Sequence, residues 1–365
     1  MDLALLGWNS FFEEAFAGWR EKGLLPARVV MEDKHAYVLV GERGDFSAAV
    51  SGKLLHQRGC NADLPKVGDW VAVAFMEQEG KGVIQAVLPR RTRIARKVPG
   101  REVEEQILAA NIDTAFVVQA LDQSFNRRRL ERFLVMVHEG GAKPVVVLNK
   151  TDLCDSLEAR VAEARLAART APVVAACAKT GRGLKQLREL VRPTETVVFI
   201  GPSGVGKSSL INRLYGEEIQ ATIEVREHDA KGRHATTWRE LIQLPWGGLV
   251  IDTPGMREFH TWGADDGIRE AFPDVEEMAV RCHYRDCTHT VEKRCVVQEA
   301  VASGILARER YENYLKLQHE LDFLAEERKK HTYLTRQRDA KVAKVATRAF
   351  HQRKRGKRAD SEEGY

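Results

Sequence analysis

The chain has 365 residues, 44% hydrophobic and 30% charged, which is enough for two or three cores and too apolar for a disordered polymer. Its longest apolar runs, such as 145–148 and 173–177, are strand-sized, and this excludes a membrane-spanning helix. The net charge of +5 is uneven: residues 328–365 carry 13 Lys or Arg against 4 Asp or Glu, leaving 44 against 48 for the rest. Such a basic tail reads either as a solvated, frayed helix or as a polyanion contact.

The first twenty residues hold Asp2, Glu13 and Glu14 and no early Lys or Arg, the wrong charge order for a secretory signal, so a cytoplasmic protein is expected. Apolar positions Leu3, Leu6, Phe11, Phe12, Ala15, Phe16 and Trp19 predict one or two short amphipathic helices over 1–23. Five short Val- and Ala-rich runs follow, near 26–32, 35–40, 45–53, 69–76 and 82–88, separated by turn signals. Five strands in so short a stretch predict an OB-like barrel, with another small barrel or an open sheet as the alternative. From 112 to 251, buried-type strands (114–118, 144–148, 172–177, 196–200, 249–251) alternate with helical stretches (127–138, 157–170, 184–191, 207–214). That alternation predicts a mostly parallel sheet covered on both faces. A helix over 305–327 and the basic tail close the chain. The expected architecture is multidomain α/β: helices over 1–23, barrel over 24–98, α/β domain over 104–272, zinc-binding helical domain over 273–330, tail over 331–365.

Gly201, Pro202, Ser203, Gly204, Val205, Gly206, Lys207, Ser208 and Ser209 form a phosphate loop between a predicted strand and a predicted helix, the context such a loop requires. The glycines let backbone N–H groups converge on a β-phosphate, Lys207 neutralises β/γ charge, and the Ser208 hydroxyl can ligate Mg²⁺. Asp252-Thr253-Pro254-Gly255 ends the next buried strand. Asp252 can hold Mg²⁺ through water and the Gly255 N–H can meet a γ-phosphate, so this loop reads as a switch.

Asn149-Lys150-Thr151-Asp152 has the pattern of a guanine-specificity element. An Asp carboxylate accepts from guanine N1–H and the 2-amino group together, and adenine offers no such pair, so GTP is selected over ATP. Ala176-Cys177-Ala178-Lys179 matches the weaker guanine-contact element, with Ala178 and Lys179 at the base and Cys177 a small buried residue. In ordinary GTPases the phosphate loop precedes the guanine element; here it follows by about 50 residues. The domain is therefore circularly permuted, which places Asp252–Gly255 directly ahead of the C-terminal module. That module carries Cys282-x4-Cys287-x-His289-x5-Cys295, four ligands of a closed Cys₃His site in a chain with too few cysteines for a disulfide scaffold. His283 fits the spacing less well. One structural Zn²⁺, with a binding free energy on the order of 10 kcal/mol, would hold a segment too short for its own core.

Barrel, permuted GTPase and Cys-x4-Cys-x-His-x5-Cys in this order resemble the RsgA (YjeQ) family of ribosome small-subunit-dependent GTPases, over roughly 24–330. The resemblance implies an OB-fold domain, a permuted GTPase and a zinc domain. Together they bind the small ribosomal subunit and its rRNA late in maturation, and hydrolysis of GTP to GDP releases the protein. It also implies a switch I at Gly232-Arg233-His234-Ala235-Thr236-Thr237, where Thr236 or Thr237 completes the Mg²⁺ shell; Ala235 stands where the family usually begins three threonines.

Met256 follows Gly255, where many GTPases place a water-orienting Gln. Even a GTPase with that Gln turns over unaided at on the order of 10⁻⁴ s⁻¹, so slow intrinsic hydrolysis and strong stimulation by a ribosomal partner are expected. His234 is a candidate for positioning water, with a solvent or RNA-phosphate contact as the alternative. RNA contacts are expected from the barrel, from Arg90, Arg91, Arg93, Arg96 and Lys97, from Arg281, Arg285, Lys293 and Arg294, and from the tail. The chain is expected to act as a monomer without a membrane partner. An rRNA-binding module that uses GTP only as a conformational ligand is the competing reading.

Overall fold

The computed structural model describes residues 1–33, 36–57, 60–98, 105–217, 240–252 and 265–327. The chain divides into two units, Met1–Gln318 and His319–Tyr365; the described residues of the second, 319–327, are helical.

Five strands build the barrel: β1 (Leu25–Asp33), β2 (Ala36–Gly41), β3 (Gly44–Val50), β4 (Trp70–Met76) and β5 (Lys81–Val87). β1 pairs with β2, β2 with β3, β3 in parallel with β5, β5 with β4, and β4 with β1, so the sheet closes. The parallel β3–β5 pair and the short helix Gly52–Gln57 after β3 are what an OB-type Greek-key barrel requires. Ala27, Val29, Leu39, Phe46, Val71, Val73 and Ile84 fill the interior. Gly82 is dictated by that packing, because a Cβ there would lie 2.6 Å from Val73 and 2.8 Å from Phe46.

The predicted N-terminal helices are a 3₁₀ turn, Leu3–Leu6, and the helix Ser10–Arg20, capped by the Asn9 side chain. They cover one flank of the barrel through an aromatic cluster, in which Trp8 meets Trp70 edge-on at 4.7 Å and Phe12 and Phe16 close around Trp8. Burial on both sides is why Pro26–Val29 of β1 loses the alternation of a half-exposed strand.

After the barrel, β6 (Arg93–Lys97) and β7 (Glu105–Ala110) form a separate two-stranded sheet, which periodicity did not predict. The α/β sheet follows, from β8 (Thr114–Ala120), β9 (Lys143–Asn149), β10 (Val173–Ala175), β11 (Thr196–Ile200), β12 (Glu240–Gln243) and β13 (Leu249–Asp252). Its order is β10-β9-β8-β11-β13-β12, parallel except for β12. β12 also pairs with β1 at Met31 and Glu240, so barrel and α/β sheet are continuous. The chain steps outward from β8 through β9 to β10, then returns to β11 on the other side of β8. This reversal opens a crevice at the carboxyl ends of β8 and β11, the place where such sheets bind ligands. Both faces are covered, and β8 is buried along its whole length.

Beyond the sheet come the helices Asp265–Ala271, Pro273–Ala279 and Val296–Ala302, and a last helix beginning at residue 308 rather than 305. Among the described residues no helix is long and apolar enough to cross a membrane.

Candidate nucleotide and metal sites

The crevice carries the phosphate loop between β11 and the helix Lys207–Tyr215. Gly201, Gly204 and Gly206 have φ of +150°, +79° and +91°, conformations that favour glycine. Two of them are also forced by space: a Cβ on Gly201 would lie 2.4 Å from the Val118 carbonyl oxygen, and one on Gly206 2.3 Å from Asn149 Nδ2. Gly206 caps the helix without a side chain, leaving the first N–H groups for an anion. Ser203 and Gly204 face solvent, whereas Lys207 is buried. Its ammonium donates to the Gly201 and Pro202 carbonyls at 3.1 and 2.9 Å. Burial pushes Lys207 down to about 8, against an opposing pull from Asp252, which ends β13 buried beside Phe199 of β11.

Asn149, at the end of β9, ties three loops together. Its Nδ2 donates to the Val205 carbonyl at 2.8 Å, and its Oδ1 accepts from the Ala178 N–H at 3.2 Å. The phosphate loop and both predicted base-contact elements are therefore fixed by one buried amide. Lys150 adopts a left-handed conformation and pairs with Asp122 at 2.9 Å. Burial would raise the Asp122 carboxyl, but hydrogen bonds from Ser124 and Lys150 hold it below the usual carboxylate range. Asp152 Oδ1 accepts a hydrogen bond from the Cys177 thiol at 3.1 Å. Asn149, Lys150, Asp152, Cys177, Ala178, Lys179 and Ser209 line a cavity of about 900 Å³ that runs on to Arg213 and Glu217. It offers a carboxylate, a lysine stem and backbone N–H groups to one flat base, with the phosphate loop alongside.

The second site is the Cys282, Cys287, His289 and Cys295 cluster, whose donor atoms lie within 4.8 Å of one another. Cys282 and Cys295 sulfurs are 3.6 and 3.4 Å from His289 Nδ1 and 3.9 Å from each other. A tetrahedral ion with metal–sulfur bonds of about 2.3 Å and metal–nitrogen bonds of about 2.0 Å sets ligand edges of about 3.5–3.8 Å, so the donors fit zinc. Burial, outweighing nearby Glu276 and Glu292, keeps His289 below its ordinary value and hence neutral, the ligating form. Burial and then the neighbouring thiols push Cys287 up to about 12; a cation is what would make these groups thiolates. His289 and Arg294 take φ of +61° and +63° in the knuckle turns. Glu292 closes the turn by accepting from the Thr288, Thr290 and Val291 N–H groups. The Thr288 hydroxyl, its strongest stabiliser, and the Thr288, Glu292 and Val291 N–H groups bring its carboxyl down to about 2. His283 stacks edge-on with Tyr284 and stays outside the cluster.

Residues 87–262 match the family described as RsgA GTPase. A small ribosomal subunit biogenesis GTPase RsgA from Opitutus terrae is 46% identical over 89% of this chain and 91% of its own length. A protein of the same name from Syntrophotalea carbinolica is 44% identical over 88% and 90%. The chain belongs to the RsgA GTPase family. Among solved structures, YjeQ from Thermotoga maritima superposes with a TM-score of 0.60 at 29% identity, covering 82% of this chain and 98% of that one. YloQ, described as a circularly permuted GTPase, shares the fold with a TM-score of 0.59 at 24% identity, over 82% and 95% of the two chains.

In this RsgA-family chain the expected site residues separate into three groups. The phosphate loop, Asn149–Asp152, Ala178–Lys179 and Asp252 come together at one sheet edge, and the four metal ligands at another place. His234, Thr236, Thr237, Gly255 and Met256 lie outside the described residues. Of the arginines expected to meet RNA after the barrel, Arg90 is engaged internally, whereas Arg91 and Arg93 stay exposed in surface ion pairs. Arg90 donates to both Asp69 oxygens and to the Ala62 and Leu64 carbonyls, Arg91 pairs with Asp113, Arg93 with Glu105, and Arg96 with Gln106. Arg281, Arg285, Lys293 and Arg294 around the metal cluster are exposed. Sequence reading missed two residues: the Cys177 thiol that orients Asp152, signalled by its place before Ala178-Lys179, and Glu292, which had no signal.

Proposed function

We propose that this protein hydrolyses GTP to GDP and phosphate on the small ribosomal subunit during its late maturation, and that hydrolysis is coupled to release. The observation that carries this reading is the convergence on Asn149, whose one amide joins the phosphate loop to the base-contact loops beside Asp152. The Cys177 thiol holds Asp152 Oδ1 and Asp152 lines the cavity, which suits its carboxylate to accept from guanine N1–H and the 2-amino group. The names of the relatives support the ribosomal substrate.

Each residue has a physical task. Lys207 holds charge against the β- and γ-phosphates, whose negative charge opposes the burial that lowers it in the free protein. Ser208 and Asp252 would hold Mg²⁺, which supplies charge neutralisation at those phosphates. Thr236 or Thr237 and the Gly255 N–H would complete the γ-phosphate end, and His234 would position water. Cys282, Cys287, His289 and Cys295 would hold one structural Zn²⁺, four protein donors leaving no open position. Exposed Arg281, Arg285, Lys293 and Arg294 would meet rRNA phosphates. The protein acts in the cytoplasm, as a monomer and without a membrane partner.

The test is hydrolysis of GTP and of ATP at fixed salt, with and without purified small subunits, for the native chain and Ser208→Ala. Stimulation of roughly 10³-fold or more, specific for GTP and abolished by the substitution, is the expected result. Bound GTP without stimulation would leave an rRNA-binding module that uses GTP as a conformational ligand.

A further inference from the structure

The helix beginning at residue 308 holds the α/β region and the metal cluster from adjacent positions. Arg310 is 2% exposed and reaches into the α/β region. Its Nη1 donates to Glu131 at 2.8 Å, its Nε and Nη2 to the two Asp274 oxygens at 2.8 and 2.6 Å, and its Nη2 also to the Ala271 carbonyl at 3.0 Å. The guanidinium lies 4.4 Å from the Phe272 ring centroid. Asn313, one turn on, donates to the other Glu131 oxygen at 2.5 Å. Tyr311, the next residue, points the other way: its hydroxyl donates at 2.6 Å to the carbonyl of His289, a metal-cluster residue.

What Arg310 grips is the junction of the two described helices that follow Asp252 in the chain, the Ala271 carbonyl ending one and Asp274 beginning the other. The helix Asp265–Ala271 starts thirteen residues after Asp252, and Ala271, whose carbonyl Arg310 holds, is its last residue. The same helix lies against Arg127–Glu139 so closely that a Cβ on Gly267 would sit 2.6 Å from the Val135 carbonyl oxygen. Glu131 belongs to that second helix, which follows β8 directly. One guanidinium thus pins together the helix that follows β8 and the end of the first described helix after β13, while its neighbour pins the metal knuckle. A buried fork of this kind is directional: a shift of the knuckle cannot be absorbed by water and must move its carboxylate partners.

We propose that Arg310 and Tyr311 form the mechanical link by which engagement of the metal module on the ribosomal partner sets the rate of GTP hydrolysis, Arg310 acting as a positioning residue for the helix Asp265–Ala271. The proposal rests on subunit-stimulated hydrolysis, the reading given above. Arg310→Lys keeps the charge but loses the fork to Asp274 and Ala271; Tyr311→Phe removes one hydroxyl from a half-buried ring. The paired replacement Arg310→Met with Glu131→Leu keeps the volume and removes the buried ion pair as a unit, with Arg169 still on Asp274, covering the case in which the lysine variant does not fold.

The experiment measures hydrolysis against small-subunit concentration for the full chain and these variants, with zinc content and unstimulated turnover as controls. With one zinc per chain and unstimulated turnover within twofold of native, Arg310→Lys is expected to lower the maximal stimulated rate at least tenfold and Tyr311→Phe about threefold. The subunit concentration for half-maximal effect should stay within twofold. A maximal rate unchanged in all variants overturns the link, as does a loss confined to subunit affinity. If the native chain itself is not stimulated, the functional reading fails instead, and the two failures are distinct.

Discussion

Arg28 and Arg310 are 1% and 2% exposed, and each joins the α/β sheet region to a neighbouring module, one on the barrel side and one on the metal side. Their surroundings are opposite. Arg28 donates only to carbonyls, those of Leu6, Gly68 and Asn111, and lies over the Trp70 ring. Without a carboxylate in contact, burial pushes it down to about 10, with more distant Asp113 and Asp69 pulling the other way. Arg310 is clasped by Glu131 and Asp274, and Arg169 and Arg127 add to the same pair of carboxylates. The barrel junction is built from backbone: besides Arg28, β1 pairs with β12, and Gly68 is pressed so close that a Cβ would meet the Ala110 carbonyl oxygen at 2.2 Å. Backbone contacts of that kind have one arrangement. The metal-side junction is built from side-chain charge, which is strong but can re-pair, and that suits the end of the molecule where a signal would enter.

The largest effect that divides the two junctions should come from the metal. Cys295→Ser removes a buried ligand at the start of the helix Val296–Ala302, and zinc modules of this size owe on the order of 10 kcal/mol to their ion. The expected outcome is loss of bound zinc and rapid proteolysis within 282–302, with GTP affinity within about twofold of native. A parallel loss of GTP binding would mean that the metal side supports the sheet as well.

Removing each arginine sharpens the contrast. Arg310→Met removes the cation shared by Glu131 and Asp274 and leaves them only Arg127 and Arg169 at their outer sides, a change at the low end of the about 3–5 kcal/mol for breaking a buried pair. Arg28→Met leaves only carbonyls unpaired, of which Gly68 keeps its bond from Asn111 at 3.1 Å, and should cost about 2–3 kcal/mol. Denaturant unfolding of both variants at constant zinc measures the order; equal losses would show that charge matching adds nothing at the metal side.

The same contrast explains what was legible in the sequence. Phosphate loop, guanine element and metal ligands could be read because their chemistry demands fixed residue types at short spacing. The barrel could be counted from alternating strands, but its closure through a parallel β3–β5 pair is a long-range fact. Arg28, Arg310 and Glu131 could not be read at all, since a lone Arg or Glu in a charged chain reads as surface and only tertiary placement makes it a buried pair. Arg90 shows the converse: within a basic run that suggested RNA, it is drawn inward by Asp69 and the Ala62 and Leu64 carbonyls, partners scattered in sequence, while Arg91 and Arg93 stay exposed. β12 escaped because four residues carry too little periodicity.

The smallest effect concerns Lys207, which belongs to neither junction. In the free protein burial brings it to about 8, whereas bound phosphates favour the ammonium, so GTP binding takes up a proton once the pH exceeds that value. Affinity should then fall with pH, by about fourfold from pH 7 to 8.5, a range that keeps the guanine N1 proton in place. The stability of the nucleotide-free protein has the opposite slope. Between about 8 and the ordinary value of 10.5 the unfolded chain holds the proton that the folded lysine has lost, so this group makes stability rise with pH. Isothermal titration in two buffers of different ionisation heat reads the proton uptake directly. Uptake near zero at pH 7, rising toward one proton per GTP above pH 8, is the expected course. No uptake across the range would mean that Lys207 is charged throughout, with Asp252 outweighing its burial.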